Sequence, residues 1–126
     1  MKIIVCGSRT FDDLLFLARK LETRTRNLKE VVVITGAQVT KDKYGRKYGA
    51  DYLAEKWALS KGHTIVRYHA DWNKHGAKAG PIRNSEMLRD SGARVLIAFW
   101  DGKSPGTKDS IDKARKAGLK VIIYRY

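Results

Sequence analysis

An α/β domain of three layers, built on a central and mainly parallel five-stranded sheet, is predicted by three features of this 126-residue sequence. Five short runs rich in Val and Ile are continuously apolar rather than alternating, the pattern of strands covered on both faces. Amphipathic helical stripes lie between them. The runs and stripes alternate along the whole chain, which favours parallel pairing through helical crossovers.

The first strand is expected over Ile3 to Cys6, followed by a helix whose apolar stripe is Leu14, Leu17, Ala18 and Leu21. Thr10-Phe11-Asp12-Asp13 reads as the capping box of that helix. A second strand is expected over Val31 to Thr35, and a second helix carries Ala50, Leu53, Ala54, Trp57 and Ala58 at i, i+3, i+4, i+7 and i+8. Gly62 ends it, and Thr64 to Tyr68 forms the third strand. Gly80-Pro81 begins a third helix, because proline suits a first helical turn. Val95 to Trp100 is the fourth strand. A helix with Ile111, Ala114 and Ala117 ends at Gly118, and Val121 to Tyr124 closes the sheet. This order is Rossmann-like, and the length fits one domain spanning residues 1–126.

Composition narrows the functional classes. An apolar content of 43% fits a globular chain and argues against disorder. No apolar run approaches the roughly 20 residues that cross a bilayer, and Lys2 to Gly7 is too short for a secretory signal. No membrane association and a cytoplasmic location are therefore expected. Cys6, the single cysteine, reads as a small core residue. His63, His69 and His75 lack metal-like spacing, so no structural metal is expected. Neither a P-loop nor a dinucleotide fingerprint is present, and no cofactor is expected.

Twenty-six Lys and Arg against thirteen Asp and Glu leave a formal charge of +13. Such a field concentrates phosphorylated small molecules or polyanions near the surface. The basic residues are spread widely, which is also the pattern of a solvated surface.

In an open sheet of this order, ligands bind beyond the carboxyl ends of the strands, where the strand order reverses. With the first strand central, its exit loop Gly7-Ser8-Arg9-Thr10 should face the loop Asp101 to Thr107 that leaves the fourth strand. Ser8 and Arg9 offer a hydroxyl and a guanidinium to a phosphate. Gly106-Thr107 permits close backbone approach and precedes a helix N-terminus, although Thr107 could equally serve as an ordinary cap. Gly36-Ala37 leaves the second strand and Gly49-Ala50-Asp51 opens the second helix, where Asp51 complements the helix dipole. Residues 38–48 between them hold Lys41, Lys43, Arg46 and Lys47 beside Tyr44 and Tyr48, which suits either a nucleic-acid grip or a mobile surface loop. Arg83 and Glu86 fall on one helical face, forming either an exposed ion pair or a phosphate- and sugar-holding pair that assists bond cleavage.

Taken together, Gly7-Ser8-Arg9, the split Gly36-Ala37…Gly49-Ala50-Asp51, Ala70-Asp71-Trp72…Gly80-Pro81-Ile82-Arg83-Asn84 with Met87-Leu88, and Ala98-Phe99 through Gly106-Thr107 resemble the YspA-type branch of the SLOG superfamily. The resemblance implies a Rossmann-like fold whose loops bind nucleotides or nucleotide-derived ligands. Relatives include Lonely-guy phosphoribohydrolases, nucleotide-signal sensors and the DNA-binding DprA proteins, and small members are frequent in phages and bacteria. By resemblance, Gly36, Gly49 and Asp51 match the branch's glycine-rich ligand loop, and Gly102, Gly106 and Thr107 a second, phosphate-side motif. Arg83 and Glu86 lie near the hydrolases' catalytic arginine region. Asp71 to Ala79 would then be a loop over the ligand, with Gly80, Pro81, Arg83 and Asn84 on its wall. The chain departs from the hydrolases by lacking their Arg-Lys pair and by carrying Asp109 where a Glu is expected.

The implied functions are binding of a nucleotide-like small molecule, N-glycosidic hydrolysis of a nucleotide with Arg83 and Glu86 as the catalytic residues, or nucleic-acid binding. Dimers among the relatives make a homodimer a further expectation.

Overall fold

The computed structural model describes residues 1–126. It runs β1 (Lys2–Gly7), α1 (Leu14–Thr25), β2 (Val32–Thr35), β3 (Thr40–Lys41), β4 (Lys47–Tyr48), α2 (Ala50–Lys61), β5 (Thr64–Arg67), α3 (Trp72–His75), a 3₁₀ turn (Gly76–Lys78), α4 (Ala79–Asp90), β6 (Val95–Trp100), α5 (Pro105–Lys116) and β7 (Lys120–Arg125). Five strands form one sheet in the order β5-β2-β1-β6-β7, every pair parallel. The expected three-layer α/β fold is the one observed.

Side chains alternate across the sheet, and each face meets its own pair of helices. Ile3 and Val5 of β1 join Val33, Ile97 and Phe99 in a core closed by Leu17 and Leu21 of α1 and by Leu53, Ala54, Trp57 and Ala58 of α2. Ile4 and Cys6 join Ile34, Leu96 and Ala98 against Met87 of α4 and Ile111 and Ala114 of α5. Burying each large apolar side chain stabilises the fold by roughly 1.5–3 kcal/mol, so β1, buried from Ile3 to Cys6, is the hub.

The edges behave differently from the centre. β5 and β7 are the outer strands and are only partly covered, with Val66 38% exposed, so the expectation of strands buried on both faces fails there. Leu14 is also exposed, and Ala117 has left the helix to become its C-cap. No helix is long and apolar enough to cross a membrane.

Three segments differ locally from what their sequence pattern suggests. Asp13, not Thr10, caps α1: its Oδ1 accepts the Phe16 amide at 3.0 Å. The chain before it is a turn closed by Phe11 N–H on Ser8 O, which drives Phe11 into the core against Phe99. Asp71 to Ala79 is helical rather than a loop, because Asp71 Oδ1 accepts the Lys74 amide and starts a short turn that runs through the 3₁₀ segment into α4. Residues 38–48 contain a two-stranded hairpin, not a loose loop. Its turn is held by Asp42, which accepts the Tyr44 and Arg46 amides, and the Arg46 guanidinium forks onto Asp12 at 3.1 and 2.6 Å.

Candidate functional site

β1 is central and its neighbours on either side continue in opposite directions across the sheet, so a crevice opens at its carboxyl end. The loops after β1 and β6 meet there, as the sequence predicts. Gly7 lies opposite Phe99 in the parallel register, and a Cβ on it would come 2.3 Å from the Phe99 carbonyl and 2.6 Å from Ala50 Cβ. Only glycine allows β1, β6 and α2 to converge this closely.

Ser8 is the knot of that junction. Its amide donates to Phe99 O at 3.0 Å, its Oγ accepts the Asp101 amide at 3.2 Å, and it lies 3.0 Å from Ser104 Oγ. With 1% exposure it holds the two loops together beneath the cleft and is not among the residues that line it.

Asp101 organises the second loop. Its Oδ1 accepts the amides of Lys103 and Ser104, both at 2.8 Å, and Oδ2 accepts Ser104 Oγ. These donors hold its carboxyl down at about 2, with the Ser104 amide contributing most. The loop delivers the chain into α5 through Pro105, and no side chain caps that helix. The amides of its first turn therefore have no side-chain cap, and Gly106 and Thr107 of that turn line the cleft.

Arg83 forms the opposite wall from α4. It does not pair with Glu86: its Nε donates to Asn84 Oδ1 at 2.9 Å and its Nη1 to Gly36 O at 2.6 Å, while Nη2 has no protein partner. The guanidinium lies flat on Gly36, where a Cβ would approach within 2.7 Å of Nη1. Burial pulls the Arg83 pKa below its ordinary value, partly offset by Asp51. Asn84 ties α4 to α5 through Asp109 Oδ2 and, at 3.4 Å, Gly106 O.

Asp51 completes the floor. Ala37, at φ 55°, takes a left-handed turn that brings the Gln38 amide onto Asp51 Oδ2 at 3.1 Å. Such a conformation costs a residue with a Cβ about 1–2 kcal/mol. Asp51 is only 8% exposed, and burial raises its pKa to about 6 against the pull of the Gln38 amide and of Arg83. Above the floor, the exposed Arg9 guanidinium sits 5.5 Å from the Trp72 ring centroid, and Trp72 is 42% exposed.

These groups enclose a cavity of about 390 Å³. It brings together Gly7, Arg9, Gly36, Asp51, Arg83, Asn84, Gly106 and Thr107 from the sequence reading. Gly49, Gly80, Pro81, Gly102 and Glu86 do not line it. Gly49 is pinned behind Arg9, donating its amide to Phe11 O; Gly80 backs onto Trp72; Pro81 accepts Lys113 Nζ; Gly102 lies under the Arg125 guanidinium; and Met87 faces the cavity where Glu86 does not.

Sequence reasoning missed Asp101, Ser104 and Gln38. The Asp-x-x-Ser spacing after a strand was a readable turn signal for the first two. Gln38 contributes its backbone amide, which no side-chain pattern announces. No group of His, Cys, Asp and Glu is arranged to hold a metal ion.

The family model described as "YspA, cpYpsA-related SLOG family" matches residues 1–75, which include Gly7, Arg9, Gly36, Asp51 and Trp72. The Gene 61 protein of Mycobacterium phage D29 is 37% identical over 117 residues, an alignment covering 72% of this chain and 93% of that protein. The chain belongs to the YspA, cpYpsA-related SLOG family.

Proposed function

We propose that the cleft binds a nucleotide or nucleotide-derived phosphorylated ligand at the C-terminal edge of the sheet. Family membership supports a nucleotide-related role. One observation carries the choice of a phosphorylated ligand: the uncapped first turn of α5, the exposed guanidinium of Arg9 and the half-satisfied guanidinium of Arg83 converge on one cavity. Helix N-terminal amides and guanidinium groups are complementary to phosphate oxygens, and the +13 charge draws anions toward them. The Trp72 ring at the rim, now covered by Arg9, offers a base a face to stack on, worth roughly 1–3 kcal/mol.

A thermal-shift panel of nucleoside mono-, di- and triphosphates tests the reading. A ligand at a hundred times its Kd stabilises by about 2.7 kcal/mol, which raises Tm by several degrees. Arg9→Ala, at an exposed position, should weaken binding roughly tenfold while leaving the unliganded Tm unchanged. No shift with any phosphorylated compound sinks the proposal.

A further inference from the structure

The cleft holds one group that a phosphate site does not explain. An ionised carboxylate only accepts hydrogen bonds and repels a phosphate, yet Asp51 lies on the floor of this cavity with 8% of its surface exposed. Burying such a charge is costly unless it is paired and hydrogen-bonded. Asp51 is in no salt bridge, and Arg83 on the opposite wall commits its Nε and Nη1 to Asn84 and Gly36. Its Oδ2 takes the Gln38 amide, and its Oδ1 has no donor. Asp101, the other acid on the wall, is already filled by the amides and hydroxyl of its own loop. Of the two carboxylates that line the cleft, Asp51 is thus the one with an open oxygen.

We infer that Asp51 selects for a ribose, accepting a sugar hydroxyl of the phosphorylated ligand on its free Oδ1. The inference rests on the nucleotide reading above and goes beyond it by naming the part of the ligand that Asp51 recognises. A sugar hydroxyl is favoured over a base amine by the character of the lining. No aromatic side chain contributes to the cavity, whereas Trp72 stands outside it at the rim. A flat base finds its stacking face on Trp72, and the polar floor is left to a hydroxyl-bearing ring. Phosphate at the α5 N-terminus beside Arg9 and Arg83, ribose at Asp51 and base at Trp72 give each part of the ligand a complementary group.

The experiment compares binding of ribonucleoside 5′-monophosphates with their 2′-deoxy and 3′-deoxy counterparts by calorimetry. Ribose 5-phosphate and 2-deoxyribose 5-phosphate are measured beside them, on the wild-type chain and on Asp51→Asn. A hydrogen bond to a charged acceptor predicts that the wild type prefers the full ribose by roughly ten- to a hundredfold over at least one deoxy form. Where the preferred hydroxyl is the 2′ one, the base-free sugar phosphates should show the same preference, and in every case Asp51→Asn should reduce it to within roughly threefold. Nucleotides that bind the wild type with equal affinity whether ribo or deoxy overturn the inference while leaving the nucleotide reading intact. So does an Asp51→Asn effect that follows the base amine and not the sugar. Failure of every probe to bind the wild type overturns both. The wild-type comparison needs no variant, so a destabilised Asp51→Asn does not blunt the test; Asp51→Ser is the second substitution.

Discussion

Asp51→Asn should convert a pH-dependent stability into a flatter one. Burial raises the Asp51 carboxyl from 3.8 to about 6 in the folded protein. Between those two values the folded chain holds a proton that the unfolded chain has released, so stability falls as pH rises. The contribution of neutral Asp51 is fully present below about pH 4 and is lost as pH passes through about 6. A difference of roughly two pH units, at about 1.4 kcal/mol each, makes the ionised floor of the cleft about 3 kcal/mol less favourable to folding than the protonated one. Asparagine keeps an acceptor for the Gln38 amide and never ionises. Urea unfolding of both proteins, followed by circular dichroism from pH 3.5 to 7.5, should show wild-type stability declining relative to Asp51→Asn by about 2–3 kcal/mol across this range. Other titrating groups cancel in the difference. Parallel stability curves, separated by a constant amount, would refute the reasoning that desolvation governs Asp51.

Two further outcomes follow from the same geometry. Gly36→Ala places a methyl 2.7–3.0 Å from the Arg83 guanidinium, which must shift and give up its 2.6 Å bond to the Gly36 carbonyl. Overpacking of this kind costs about 1–3 kcal/mol in denaturant unfolding, and nucleotide affinity should drop with it. Arg46→Ala removes two ion pairs, to Asp12 and to Asp42, but the arginine is 57% exposed, so global stability should change by less than about 1 kcal/mol. Hydrogen exchange should nonetheless quicken at the Asp42 and Gly45 amides of the hairpin and stay slow at Ile4.

How much of the site could be read beforehand depended on the range of each interaction. Gly106-Thr107 and the loop after β1 were legible, because a glycine near a helix start and a strand-to-helix turn are local patterns. Their meeting was legible too, because a central first strand forces the two loops together. The role of Arg83 was not. Helical spacing offers Glu86 as its partner, yet the guanidinium reaches a carbonyl 47 positions away in sequence. The basic segment 38–48 read as a grip or a loose loop for the same reason: Arg46 finds Asp12 34 positions away, and that contact turns the segment into a clamped hairpin. The burial of Ser8 was likewise not legible, because it depends on Phe99, Asp101 and Ser104, which belong to a distant strand and its loop.

The sequence by itself determined the layers, the parallel sheet and the edge where a ligand would enter. Those depend on which residues avoid water and at what spacing, and that information is carried within each short segment. Only the tertiary structure decided which side chains face the cleft, which of them are already satisfied, and that Asp51 retains an open oxygen. Hydrogen-bond satisfaction and desolvation belong to the neighbours a group acquires on folding, and those neighbours come from segments far apart along the chain.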